Sequence, residues 1–232
     1  MKQEKKQNKK DRHRLRNGML VVLSLVILGG GMVLTLTAHR PGKYKPAVPE
    51  NPEVVSPYLT HELAPEFYNQ VQLDRPFELA VDQAGLNDIL SRGKWPMQFG
   101  ELTLSMPTVL FGEGQITLMA EVDYNGLSAV VSLIMLPEID EAGMLNLNIQ
   151  TVYLGAMPIT PLAQLATRNI ASQYLPTSAE QANPIKKIIN AILSNQPFEP
   201  VLTIQEYTMR LEELILEDGR CRIFLVPVPV ID

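Results

Sequence analysis

The middle of the chain alternates apolar and polar positions. From Glu101 to Met106, Leu102, Leu104 and Met106 alternate with Thr103 and Ser105. After a turn at Gly112-Glu113-Gly114, Ile116, Leu118, Ala120, Val122 and Tyr124 alternate with Gln115, Thr117, Glu121 and Asp123. A period of two marks strands with one face buried. Asn125-Gly126 supplies the two positive-φ positions of a type I′ hairpin. Leu127–Leu136 follows, and its second half is apolar on both faces, with Val130, Ile134 and Leu136 opposite Val131, Leu133 and Met135. Asp140-Glu141-Ala142-Gly143 turns the chain again. Leu145, Leu147 and Ile149 then alternate with Asn146, Asn148 and Gln150, up to about Gly155. This predicts an antiparallel meander of four strands near ten residues each, about 33 Å long. Typical strands have about 5–6 residues, and long ones twist and coil, so a curved sheet is expected.

The flanks switch period. Pro76–Val81 reads as a short strand. Asp82 is placed to cap a helix through about Ser91, with Leu86, Ile89 and Leu90 as its apolar stripe and Asn87 inside it. Thr160 or Pro161 opens an amphipathic helix to about Tyr174 (Leu162, Leu165, Ala166, Ile170). Pro184–Leu193 reads as a shorter helix. A strand near Val201–Gln205 and a hairpin, Tyr207–Leu216 with Arg220–Val228 across Asp218-Gly219, complete the pattern. The expected class is α+β: a long curved antiparallel sheet of meander plus C-terminal hairpin, with two or three helices on one face.

A different signal precedes this domain. Residues 19–37 (MLVVLSLVILGGGMVLTLT) carry no charge. As a helix they span about 28 Å, close to the roughly 30 Å hydrocarbon core. Residues 1–18 hold eight Lys or Arg against Glu4 and Asp11, which puts that end in the cytoplasm. The alternative is a cleaved signal peptide. The run exceeds the usual apolar region of one, and Leu36 fits poorly at the −3 position of a cut after Ala38. No Cys follows for lipoprotein processing. Pro41, Pro46, Pro49, Pro52 and Pro57 make the next stretch extended and stiff. The predicted organisation is a basic cytoplasmic tail (1–18), a transmembrane helix (19–38), a Pro-rich stalk (39–58) and an extracytoplasmic α+β domain (59–232).

Charge and residue usage narrow the function. The net charge is −5 over the chain. With the tail at +6, the remainder stands at −11. An acidic body argues against nucleic acid, while the basic tail suits anionic head groups at the cytoplasmic face. Cys221 is the lone cysteine, so no intrachain disulfide forms, and it reads as an inert packed thiol. Of His13, His39 and His61, only His61 lies near the predicted domain. Ser-His-Asp, Cys-His and multi-His zinc sites are thereby disfavoured. No GxSxG, GxGxxG or P-loop occurs. No catalytic residue, metal or cofactor is expected. A carboxylate pair drawn from Glu113, Glu121, Asp123, Glu138, Asp140 and Glu141 is the remaining enzymatic reading, a glycan hydrolase. These carboxylates fall at hairpin ends or solvent faces, where solubility alone explains them.

The long strands bury Leu, Ile, Val and Met rather than aromatics, and seven Met lie beyond residue 38. Such a sheet encloses either a solid core or an elongated groove for acyl chains. Both faces of Leu127–Leu136 need cover, which a buried central strand also explains. If a groove forms, its candidate lining is Leu102, Leu104, Met106, Ile116, Leu118, Val122, Val131, Leu133 and Met135.

The arrangement resembles the YpmS-like family of membrane-anchored proteins of Gram-positive bacteria. The likeness rests on the basic N-terminus and single anchor, on Phe77–Asn87 with its Leu86-Asn87, and on Val152–Ile159 with Leu154, Gly155 and Pro158 in a Leu-Gly-X-X-Pro turn. Both short motifs look structural, and no catalytic residue carries over. The layout is also similar to the lipid-binding tubes of the TULIP superfamily. The YpmS-like family is largely uncharacterised, and the functional expectation comes from the long apolar-faced meander on a membrane tether without catalytic groups: a cell-surface module that binds a lipid or other elongated apolar ligand near the outer leaflet, which the TULIP likeness also suggests. A scaffold subunit of an envelope complex, with a protein partner, is the alternative.

Overall fold

A computed structural model describes residues 30–32, 35–161 and 196–228. The predicted basic tail, most of the predicted span, the predicted helix at 184–193 and all but the first two residues, Thr160 and Pro161, of the helix predicted at 160–174 lie outside these residues. Residues 30–32 and 35–37 are helical. Among the described residues, no helix is long and apolar enough to cross a membrane.

The fold is α+β and mostly antiparallel sheet. Its centre is the hairpin of β5 (Gln115–Tyr124) and β6 (Leu127–Met135), paired from Ile116↔Met135 to Tyr124↔Leu127. Asn125 and Gly126 turn it with φ of 53° and 82°, the left-handed conformations their identities predict. On one side β6 pairs with β9 (Ile149–Leu154) and β9 with β10 (Met157–Pro158). On the other side the expected single first strand is broken. β3 (Leu102–Leu104) pairs with the Val122–Tyr124 half of β5, and β4 (Thr108–Gly112) with the Gln115–Met119 half. Pro107 between them has no N–H for the ladder. β2 (Met97–Phe99) adds outside β3.

The fourth expected strand is also interrupted. Asn148 turns to φ 43°, and the β6–β9 register shifts between Ile134 and Met135. Leu145–Asn146 (β8) pairs instead with Glu138–Ile139 (β7).

The C-terminal hairpin corrects the sequence expectation, because it does not extend the meander. β12 (Tyr207–Glu217) and β13 (Arg220–Pro227) form a separate four-stranded sheet, ordered β1-β13-β12-β11, with β1 (Phe77–Asp82) and β11 (Val201–Ile204). Cross-strand chemistry selects β1 as the partner. Phe77↔Leu225, Leu79↔Ile223 and Val81↔Cys221 pair apolar groups. On the alternate positions Arg220 meets Asp82 at 2.9 Å and Arg222 meets Glu78 at 3.5 Å.

Two helices cover the core. The periodicity predicts nothing before Pro76, yet a π-helical turn at Leu59–Leu63 runs into α1 (Ala64–Val71). Pro65 is tolerated in the first turn. Phe67 and Val71, one turn apart, pack with Phe77, Leu79, Met209 and Leu225. The helix α2 (Gln83–Ser91) closely matches its predicted span. It lays Leu86 and Leu90 against a second cluster of Val109, Phe111, Leu216 and Cys221. Asp82 stands at its N-cap position without a capping bond, since its carboxylate accepts from Arg220 instead.

Asn87 explains how α2 meets the sheet. Its amide donates to Val109 O and accepts from Val109 N–H, both at 2.7 Å. One turn earlier, Gln83 accepts from Phe111 N–H at 2.8 Å. Side chains at i and i+4 thus finish the open edge of β4, as a neighbouring strand would.

Candidate functional site

Pairing assigns every strand residue to a face. Eight of the nine predicted lining residues share one: Ile116↔Met135, Leu118↔Leu133, Ala120↔Val131, Val122↔Ala129, with Leu102 and Leu104 alongside. Met106 leaves the set, because it lies between β3 and β4 and offers its carbonyl to Tyr44. At one end this face is core. Ile116 and Leu118 pack on the Val109–Phe111–Leu216–Cys221 cluster, and Met135 is buried. At the other end Leu102, Tyr124 and Leu127 are exposed cross-strand neighbours.

A groove of about 510 Å³ opens on the opposite face. Its floor comes from two cross-strand rows. One is Leu110, Thr117 and Ile134, and the other contains Met119, Ser132 and Tyr153. The alternation had assigned the β5 members of this face to solvent. Its cover is the chain directly after the predicted span. His39, Pro41, Gly42 and Lys43 form the wall, Gly155 and Ala156 lie at one end, and Asp218 is the acidic lining residue.

This strap is held by specific contacts. Tyr44 is 4% exposed and packs with Met119, Val130 and Leu110. Its hydroxyl donates to Met106 O at 2.9 Å and accepts from Glu121 N–H at 3.2 Å. Burial raises the Tyr44 pKa. Arg40 stacks 5.1 Å from the Tyr44 ring centre and reaches Glu121 at 3.7 Å. Before the strap, Leu36 O accepts from Ala156 N–H at 2.8 Å. Gly155 has φ 60°, and a Cβ there would strike the carbonyls of Leu36 and Thr37. The Leu-Gly-X-X-Pro turn is thus the seat of the chain leaving the predicted span.

The rest of the Pro-rich stretch is clamped too. Arg92 donates to Asn51 O at 2.9 Å and Val54 O at 2.6 Å, and pairs with Asp88 at 2.9 Å. Ser56 is buried and donates to Asp88. Residues 39–58 do not form an extended stalk: the chain turns at 41–44 and 51–54, with Tyr44 N–H bonded to Pro41 O and Val54 N–H to Asn51 O, and lies against the domain.

Two of the candidate carboxylates tie their own turns. Asp123 accepts from Ser128 Oγ at 2.7 Å and Gly126 N–H at 3.1 Å, which ties its own hairpin. Asp140 accepts from the N–H groups of Ala142 and Met144. Among the described residues no group of three or more His, Cys, Asp or Glu is placed to hold a metal ion. Sequence reasoning missed Tyr44, Ser132 and Tyr153. Two signals were available: Tyr44 as an aromatic among the prolines that follow the uncharged run, and the two-faced apolar character of β6. No known protein family, curated protein or solved structure matches the chain.

Proposed function

We propose that the chain is a single-pass cell-membrane protein, N-terminus cytoplasmic, whose extracytoplasmic domain holds a lipid or similar elongated apolar ligand beside the outer leaflet. One observation carries this reading: the groove is walled by residues 39–43, immediately after the uncharged run 19–37. A ligand in the outer leaflet then reaches the groove from the membrane side. Its volume, about 510 Å³, falls within the roughly 300–1,000 Å³ of small-molecule sites. Pro41, Leu110, Met119 and Ile134 give it apolar lining. The ligand face chosen from sequence moves accordingly, from the Leu118–Leu133 face to the Met119–Ser132 face. The resemblance to YpmS-like anchored proteins points to the same anchoring.

The test is native mass spectrometry of the full-length protein, delipidated in mild detergent and offered phospholipids. A one-to-one lipid adduct that survives detergent release is expected. Protein that retains no lipid, and whose Met119→Trp variant behaves identically, rules the reading out.

A second reading, an interaction subunit of an envelope complex, draws on Leu102, Tyr124 and Leu127, which are 37%, 48% and 76% exposed at one end of the sheet. Crosslinking in cells from this patch to a stoichiometric protein, without co-purifying lipid, would favour it.

A further inference from the structure

Leu102, Tyr124 and Leu127 form the last cross-strand row of the central sheet at its β5–β6 end, and among the described residues all three are exposed. Met97, paired with Leu104 in the next row, is exposed too. Asp123 braces this hairpin through Gly126 N–H and Ser128 Oγ, so the apolar groups are presented on a fixed turn. The anchor settles where this end of the sheet lies. Ala156 N–H meets Leu36 O at 2.8 Å, and the adjoining Gly155 N–H meets Val130 O at 2.7 Å. Leu127 is three residues along β6 from Val130, which is about 10 Å of strand. Residues 30–32 are exposed, so the chain departs from the domain at the Gly155-Ala156 turn. With residues 19–37 as the span, the tip is held one hydrogen-bonded turn and about 10 Å of strand from the membrane exit. The headgroup layer is itself roughly 5–7 Å deep.

We propose that the β5–β6 tip docks into the outer leaflet beside the anchor, with Leu102 and Leu127 against the upper acyl chains and Tyr124 at headgroup level. Tyrosine favours that level, because its ring is apolar and its hydroxyl stays wet. The row is too small for a stable protein interface, which takes about 20–30 residues a side. A bilayer needs no such area here, since the anchor already supplies a high effective concentration. Two carboxylates border the row, Asp123 and Glu101, the latter beside the Tyr124 hydroxyl. The contact is therefore apolar and calls for no anionic headgroup. The inference rests on the reading of residues 19–37 as a span. It adds a second membrane contact, which fixes the orientation of the domain on the bilayer.

The experiment uses full-length Leu127→Cys and, as a control in the turn at the far end of β5, Glu113→Cys. Each is labelled with a nitrobenzoxadiazole fluorophore while folded, so that buried Cys221 stays unlabelled. The proteins are reconstituted in phosphatidylcholine vesicles with and without doxyl-labelled acyl chains. Doxyl quenching should be about threefold stronger or more at 127 than at 113, which lies about 33 Å away along β5. Adding Leu102→Ser and Tyr124→Ser should reduce quenching at 127 about twofold or more. Both positions are exposed, so the melting temperature should stay as in the parent. Quenching unchanged by the two serines overturns the assignment of this row. Equal quenching at 127 and 113, in protein that carbonate does not extract, overturns the docking and leaves the span standing. A label at 127 that is unquenched by doxyl and also shielded from aqueous iodide is covered by protein, either residues 162–195 or a second copy, and likewise overturns it. Protein that carbonate extracts from the vesicles overturns this inference and the single-pass reading together.

Discussion

Two residues show how far a side chain's identity carries. Asn87 is visible in the sequence as a polar residue inside a helix, and there it only looks unfavourable. Its use becomes clear when β4 arrives alongside with an unpaired edge. Asn87→Ala leaves both Val109 backbone groups buried and unpaired, so it should cost about 2–4 kcal/mol in denaturant unfolding. Recovery to within about 1 kcal/mol of wild type would remove the edge-pairing account. Cys221 was legible as an inert thiol and is buried in β13. Burial pushes its pKa up to about 11 from 9.0. The folded state therefore holds the proton more tightly than the unfolded chain. This contribution is complete below about pH 9 and is lost as pH rises toward 11. Stability should decline over that window and decline less in Cys221→Ala. Thiol alkylation at pH 8 should be slow in the folded protein and fast in denaturant.

At the scale of elements, what local pattern controls was readable. The alternation and turn residues locate β5, β6, β12 and β13 to within a residue or so of their ends. Where tertiary pairing decides, the pattern misleads. The first and last meander strands are each cut in two, and β12 hides a register shift between Leu211 and Glu213. Its buried residues change parity there, from Met209 and Leu211 to Leu216. The helix at 64–71 was not predicted because only Phe67 and Val71 of its eight residues are buried, too short a stripe for periodicity to mark. The clamp on residues 51–56 is likewise tertiary. Arg92 and then Ser56 hold the Asp88 carboxyl below its ordinary value of 3.8. A lowered folded pKa contributes stability that is present above the unfolded value and lost as pH falls through the folded one. Asp88→Asn should flatten the acid limb of stability below about pH 4. It should also raise hydrogen exchange and proteolysis at residues 51–56. An unchanged acid limb would show that Asp88 is not the group responsible.

At the scale of the molecule, the strap couples the domain to the chain that precedes it. Gly155 is the sensitive point, with its positive φ and its approach to the Leu36 and Thr37 carbonyls. Gly155→Ala should cost at least about 1–2 kcal/mol from backbone conformation alone. The Ala156 amide, bonded to Leu36 O, should exchange about tenfold faster or more, with β12 and β13 unaffected. Equal loss of protection in β12 and β13 would mean that the strap is part of the global core. The sequence by itself determined the α+β class, the hairpins and the uncharged run at 19–37. These follow from periodicity, from turn residues with positive φ and from local charge, all of which act over a few neighbouring positions. Only the tertiary structure decided that the meander and the C-terminal hairpin form separate sheets, and which face of the central sheet carries the groove. Those outcomes depend on which distant segment covers an apolar surface. For β6 it was Tyr44, more than eighty residues away in the chain, and no local pattern around either residue records that contact.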